Sequence, residues 1–105
     1  MARMDWPGSI LSLTRTLVAI PSRAGVDSYD EIARAVADWL TGHGVEPTRL
    51  RDDEGRIVGL TARVVGGSGP TYLLAATLDT APFGSESSWT TSPLTPDVRG
   101  GWWWG

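Results

Sequence analysis

The stretch Tyr72-Leu-Leu-Ala-Ala-Thr-Leu-Asp-Thr-Ala-Pro82 constrains this chain more than any other. Tyr72 to Ala76 is nearly all apolar. A strand with one wet face alternates polar and apolar residues, so an unbroken apolar run suits a central strand covered on both sides. The run then delivers Thr77 and Asp79, two residues apart and therefore on one face of an extended backbone, to its end before Pro82. A strand of this kind needs layers against it, and the rest of the chain offers helices for that purpose.

Ser9 can cap a first helix behind Pro7-Gly8, in which Ile10, Leu13, Leu17 and Ile20 recur at helical spacing and Leu11 and Val18 widen the apolar face. Pro21 ends it, because the residue before a proline avoids helical angles, and Ser22 to Gly25 is a loop. Ser28-Tyr-Asp-Glu31 reads as a capping box for a second helix, with Asp30 and Glu31 at its positive end. Ile32, Val36, Trp39 and Leu40 form its buried stripe, and Gly42 or Gly44 ends it.

Val45 to Arg51 suits a short strand. Asp52-Asp-Glu-Gly55 is a solvated turn with a glycine where positive φ is needed. Ile57 to Val65 alternates, with Val58, Leu60, Ala62 and Val64 on one face. Gly66-Gly-Ser-Gly-Pro70 leads into a strand and not a helix, so it is a hairpin turn and not a phosphate cradle. After Pro82 the chain turns polar, with Trp89, Pro93 and Pro96 as punctuation, and Asp97 to Gly101 turns into Trp102-Trp-Trp-Gly105. The predicted fold class is α/β: two helices followed by three strands of a mixed sheet.

Composition narrows the function. The 105 residues amount to one small domain or part of one. A net charge of −3, with all nine basic residues arginine, argues against a nucleic-acid partner. The absence of cysteine excludes disulfides and thiolate metal sites. No run approaches membrane-spanning length and the N-terminus lacks a signal-peptide core, so the expected location is the cytoplasm, with no membrane partner.

In order along the chain, Leu17-Val-Ala-Ile-Pro-Ser22, Trp39-Leu40 with Gly44-Val-Glu46, Asp53-Glu-Gly-Arg-Ile-Val58, Gly69-Pro-Thr-Tyr-Leu-Leu74, Leu78-Asp-Thr-Ala-Pro82, and Trp89, Pro93-Leu94 and Gly101-Trp-Trp-Trp-Gly105 resemble the first part of zinc-dependent metallopeptidase family twenty. That family includes acetylornithine deacetylase, succinyl-diaminopimelate desuccinylase, the aminoacylases and the glutamate carboxypeptidases. The resemblance implies that residues 1–105 are an N-terminal portion of a catalytic domain. It implies a substrate that is a small peptide or N-acyl amino acid, and two zinc ions as cofactors of the intact enzyme.

In the family the metal-site strand ends His-x-Asp-x-x-Pro. The histidine binds one zinc and the aspartate orients its imidazole, while the paired metals polarise a carbonyl and activate a water. A glutamate and the other ligands follow further on. Here Thr77 stands at the histidine position, and a neutral hydroxyl is not a usual zinc ligand. Asp79 keeps the orienting position. His43, the one histidine, lies at a helix exit and reads as a solvated loop residue or a charge near the helix's negative end. Local turns and caps are the plainer use of Thr77 and Asp79. The expectation is therefore a hydrolase portion that neither binds zinc nor catalyses as it stands. Two alternatives stay open. One is a binding module using the tryptophans, with Trp102 and Trp104 on one strand face. The other is a divergent member in which another residue replaces the histidine. Oligomeric state is not legible.

Overall fold

The computed structural model describes residues 8–104, and Met1 to Pro7 and Gly105 lie outside the described residues. The N-terminal reading and the Pro7 half of the first helix start fall there. The chain divides into two compact units. One is formed by residues up to Asp27 together with those from Thr80 onward, the other by Ser28–Asp79.

In the Ser28–Asp79 unit, helix α2 spans Asp30–Gly42 with Asp30 and Glu31 in its first turn, where carboxylates complement the helix dipole. The capping box does not form. Tyr29 occupies the N-cap without a side-chain cap bond, and the Ser28 hydroxyl instead accepts the Asp30 N–H at 3.2 Å. The helix ends in a Schellman arrangement. Gly44, at φ +78°, donates its N–H to the Thr41 carbonyl, and the Val45 N–H reaches back to Leu40. Only glycine enters that left-handed position without cost.

Strands β1 (Thr48–Arg51) and β2 (Ile57–Thr61) pair antiparallel, with Thr48 opposite Thr61 and an irregularity between Leu50 and Arg51. Asp52 builds the connection. Its carboxylate accepts the backbone N–H groups of Glu54 and Arg56 and the Arg56 Nε at 2.8–3.0 Å, while Gly55 takes φ +80°. This is an Asx-type turn that the side chain itself organises. The buried apolar residues are Ile32, Ala33 and Ala37 from α2 and Ile57 from β2. Of the predicted stripe, Ile32 is buried, Val36 and Leu40 are half-buried, and Trp39 stays exposed.

The largest departure from the sequence reading comes next. β2 ends at Thr61, so the alternation through Val65 goes unused. The predicted strand Tyr72–Ala76 has no sheet partner among the described residues, and Leu73 and Leu74 are 91% and 94% exposed. A central strand exists only when a neighbour lies on each edge and a layer on each face. This unit supplies neither to residues 72–76, so their apolar composition is left facing outward.

In the other unit, helix α1 spans Gly8–Val18 and buries no residue fully. The Thr14 and Thr16 hydroxyls donate back to the Ile10 and Ser12 carbonyls, and the chain leaves the helix through Ile20 into Pro21. A short 3-10 turn covers Glu86–Ser88. Strands β3 (Asp97–Arg99) and β4 (Trp102–Trp104) form an antiparallel hairpin with Arg99 opposite Trp102. Its two-residue loop, Gly100-Gly101, has φ +57° and +82°, as a type I′ turn demands. The mixed three-stranded sheet expected from the sequence is thus replaced by four short strands in two separate antiparallel hairpins. No helix among the described residues is long and apolar enough to cross a membrane.

Candidate functional site

Thr77 and Asp79 lie in the extended segment that closes the Ser28–Asp79 unit. Both are exposed, with half-buried Leu78 between them. Together with Ala76 they line one side of an open groove of about 560 Å³. The apolar face of α2 lines it through Ile32, Val36 and Leu40, and β2 lines it through Ile57 to Thr61. The structure therefore brings the two sequence-predicted site residues to one groove. It gives neither side chain a hydrogen-bond or ion-pair partner among the described residues.

That donor set does not fit a zinc ion. A structural or catalytic zinc takes three or four nitrogen, sulfur or carboxylate donors. Here the groove is lined by one carboxylate, Asp79, and by the neutral hydroxyl residues Tyr29, Thr61 and Thr77, and no group of three His, Cys, Asp or Glu residues is gathered anywhere among the described residues. His43 is committed elsewhere. Its Nδ1 lies 2.7 Å from the Trp39 carbonyl, and since a carbonyl only accepts, Nδ1 carries the proton. The ring stacks on Trp39 at 3.9 Å between centroids. His43 thus contributes to the end of α2 and is not among the residues lining the groove.

A second cluster, which the sequence reading did not single out, occupies the other unit. Arg23 and Asp27 form a two-pronged ion pair, Nε to Oδ2 at 2.7 Å and the terminal nitrogen to Oδ1 at 3.0 Å. The Arg23 backbone N–H donates to the same carboxylate at 2.9 Å. Arg23's side chain first, and then its backbone N–H, hold the Asp27 carboxyl down to about 2. The guanidinium also sits 4.9 Å from the centre of the Phe83 ring. Phe83 meets Trp89 edge-on, and the Trp89 indole N–H donates to the Phe83 carbonyl at 2.8 Å.

The loop carrying this pair acts as a strand fragment. The Thr80 N–H donates to the Ser22 carbonyl and the Ala24 N–H to the Thr80 carbonyl, both at 2.9 Å. That is a one-residue parallel bridge between Arg23 and Thr80. The spacing Arg23-x-x-x-Asp27 across Gly25 was the sequence signal for half of this cluster; the aromatic half lies too far along the chain for any spacing rule to reach.

In the tryptophan hairpin, Trp102 and Trp103 are half-buried and Trp104 is exposed. Trp102 and Trp104, which alternation places on one face, sit opposite Arg99 and Asp97. Those two are paired to each other by an Arg99 Nε–Asp97 bond.

No family model matches the chain, and no solved structure matches it. Among curated proteins it is similar to the cysteinylglycine-S-conjugate dipeptidase of Corynebacterium striatum. The two are 36% identical over 81 residues, which is 75% of this chain and 17% of the dipeptidase. The chain therefore spans about a sixth of the length of the curated relative it matches, and within that span it is similar to part of a dipeptidase.

Proposed function

We propose that this chain is the N-terminal portion of the catalytic domain of a zinc-dependent peptidase or deacylase of metallopeptidase family twenty. In this reading Asp79 stands at the position that orients the first metal-binding histidine, and Thr77 stands in place of that histidine. The observation that carries it is the 36% identity over 81 residues to a dipeptidase. The ordered segments from Leu17-Val-Ala-Ile-Pro-Ser22 to Leu78-Asp-Thr-Ala-Pro82 support it independently. The intact enzyme hydrolyses an amide bond in a small peptide or N-acyl amino acid, in the cytoplasm.

Residues 1–105 do not perform that reaction by themselves. With Thr77 at the ligand position, the groove offers too few donors to hold either metal, and so no metal-bound water is generated there. Calorimetric titration of the chain with zinc at neutral pH, together with a dipeptide and N-acetyl amino acid hydrolysis assay, tests this. The expected result is no stoichiometric binding tighter than about micromolar and no turnover, in the Thr77→His variant as well as in the unsubstituted chain. Stoichiometric submicromolar zinc, or hydrolysis that a chelator abolishes, would overturn it.

A further inference from the structure

The Arg23 cluster goes beyond the reading above, because nothing in that reading requires it. The Arg23 side chain makes the two-pronged pair with Asp27 and at the same time lies over the face of Phe83. Its backbone adds to these. The Arg23 N–H is held by the Asp27 carboxylate, and the Arg23 carbonyl accepts the N–H groups of both Val26 and Asp27. Gly25, at φ +73°, lets the chain reverse so that Asp27 can reach back. The loop from Ser22 to Asp27 is thus closed on itself. Through the Ser22 carbonyl and the Ala24 N–H the loop bonds to Thr80, and Ser22 itself is buried.

Thr80 directly follows Asp79. It is also the one residue between Ala62 and Pro96 that takes part in strand-type pairing. The backbone just after Asp79 is therefore held in strand-type pairing at Thr80, and that pairing depends on the loop. A charge-assisted two-pronged pair has the directionality to hold such a loop in one geometry. The cation over Phe83 adds a contact to the chain just beyond Thr80.

We propose that Arg23 is a positioning residue: with Asp27 and Phe83 it holds residues 22–27 as a preformed strand partner for Thr80, and so fixes the backbone immediately after Asp79. The purpose given to Asp79 rests on the proposed function, but the clasp itself does not. Its test therefore reads backbone protection at Thr80 and not metal or turnover, so that either idea can fail without the other.

Amide hydrogen exchange, resolved by residue, is measured on the unsubstituted chain and on Arg23→Ala, Asp27→Asn and Arg23→Lys. Asp27→Asn keeps the side chain's size and serves should Arg23→Ala fail to fold. Thr80 and Ala24 are expected to be protected in the unsubstituted chain. In Arg23→Ala and Asp27→Asn they should exchange faster by about tenfold or more, while the amides of Asp52 and Val45 keep their rates. Arg23→Lys, which keeps the cation but loses the fork, should fall between. Three results would overturn the clasp: no protection at Thr80 in the unsubstituted chain, unchanged protection in both disrupting variants, or equal acceleration at all four amides.

Discussion

The exposed apolar run is the feature most open to a decisive experiment. Leu73 and Leu74 are 91% and 94% exposed, whereas Ile32 on α2 is 3% exposed. Burying a leucine side chain contributes about 1.5–3 kcal/mol. A leucine nine-tenths exposed realises about a tenth of that, so replacing both with serine should change the unfolding free energy by less than about 1 kcal/mol. Were the same residues seated in a central strand, each truncation would remove transfer energy and leave a cavity, at a cost of about 2–5 kcal/mol per site.

Ile32→Ala supplies the internal standard. It removes the largest apolar side chain that α2 buries, and a cost of about 2–5 kcal/mol is a large share of the ~5–15 kcal/mol available to an ordinary domain. Urea titrations followed by far-ultraviolet circular dichroism, at protein concentrations low enough to keep the chain monomeric, give both numbers. Sedimentation velocity at higher concentration gives a second readout. An exposed, unpaired apolar segment is a template for association, so the unsubstituted chain should self-associate and the double serine variant should not. A loss in the double serine variant as large as that of Ile32→Ala would refute the reasoning, because it would mean that residues 73 and 74 are buried in solution.

The Asp27 carboxyl is held at about 2, below the ordinary aspartate value of 3.8. Its pair with Arg23 therefore stabilises the fold fully above the ordinary value, and that stabilisation is lost as the pH falls through about 2. Trp89 fluorescence followed through acid titration should carry this transition in the unsubstituted chain and lose it in Asp27→Asn. In the tryptophan hairpin, an added Cβ at Gly100 meets only Trp102 Cδ1 at 4.0 Å, an ordinary contact. The cost of Gly100→Ala is therefore backbone strain of about 1–2 kcal/mol at positive φ, and it should appear as a reduced near-ultraviolet dichroism of the tryptophans. A variant with the native near-ultraviolet signal and melting temperature would show that the Gly-Gly turn is not what forms the hairpin.

Local chemistry was legible in the sequence, and partnership was not. Helix α2 could be read because Asp30, Glu31, Ile32 and Leu40 obey a helical period and Gly44 supplies a stop. The turn at Asp52–Gly55 could be read from residue type, although its designation as merely solvated missed that Asp52 holds the turn together. The Ser28 box failed because the helix starts one residue later than the motif assumes, which leaves Ser28 to bond Asp30. Tyr72–Ala76 failed for a different reason. Its composition describes the surroundings that a central strand requires, and composition cannot supply them. At the site, Thr77 and Asp79 line one groove, but Leu78 between them lines it too, so the grouping does not follow from strand alternation. The Arg23 clasp stayed hidden because Phe83 and Thr80 are remote in sequence and belong to no periodic pattern.

The central claim, that these residues open a two-metal hydrolase, is tested most directly by reading the nucleotides beyond codon 105. The family resemblance places a metal-bridging aspartate shortly after the segment similar to Gly101–Gly105. An open frame with a glycine and then an aspartate within about ten codons, followed by an acidic pair, is therefore expected, as two-metal chemistry requires. A stop codon directly after Gly105, with no such residues in any frame downstream, would contradict it.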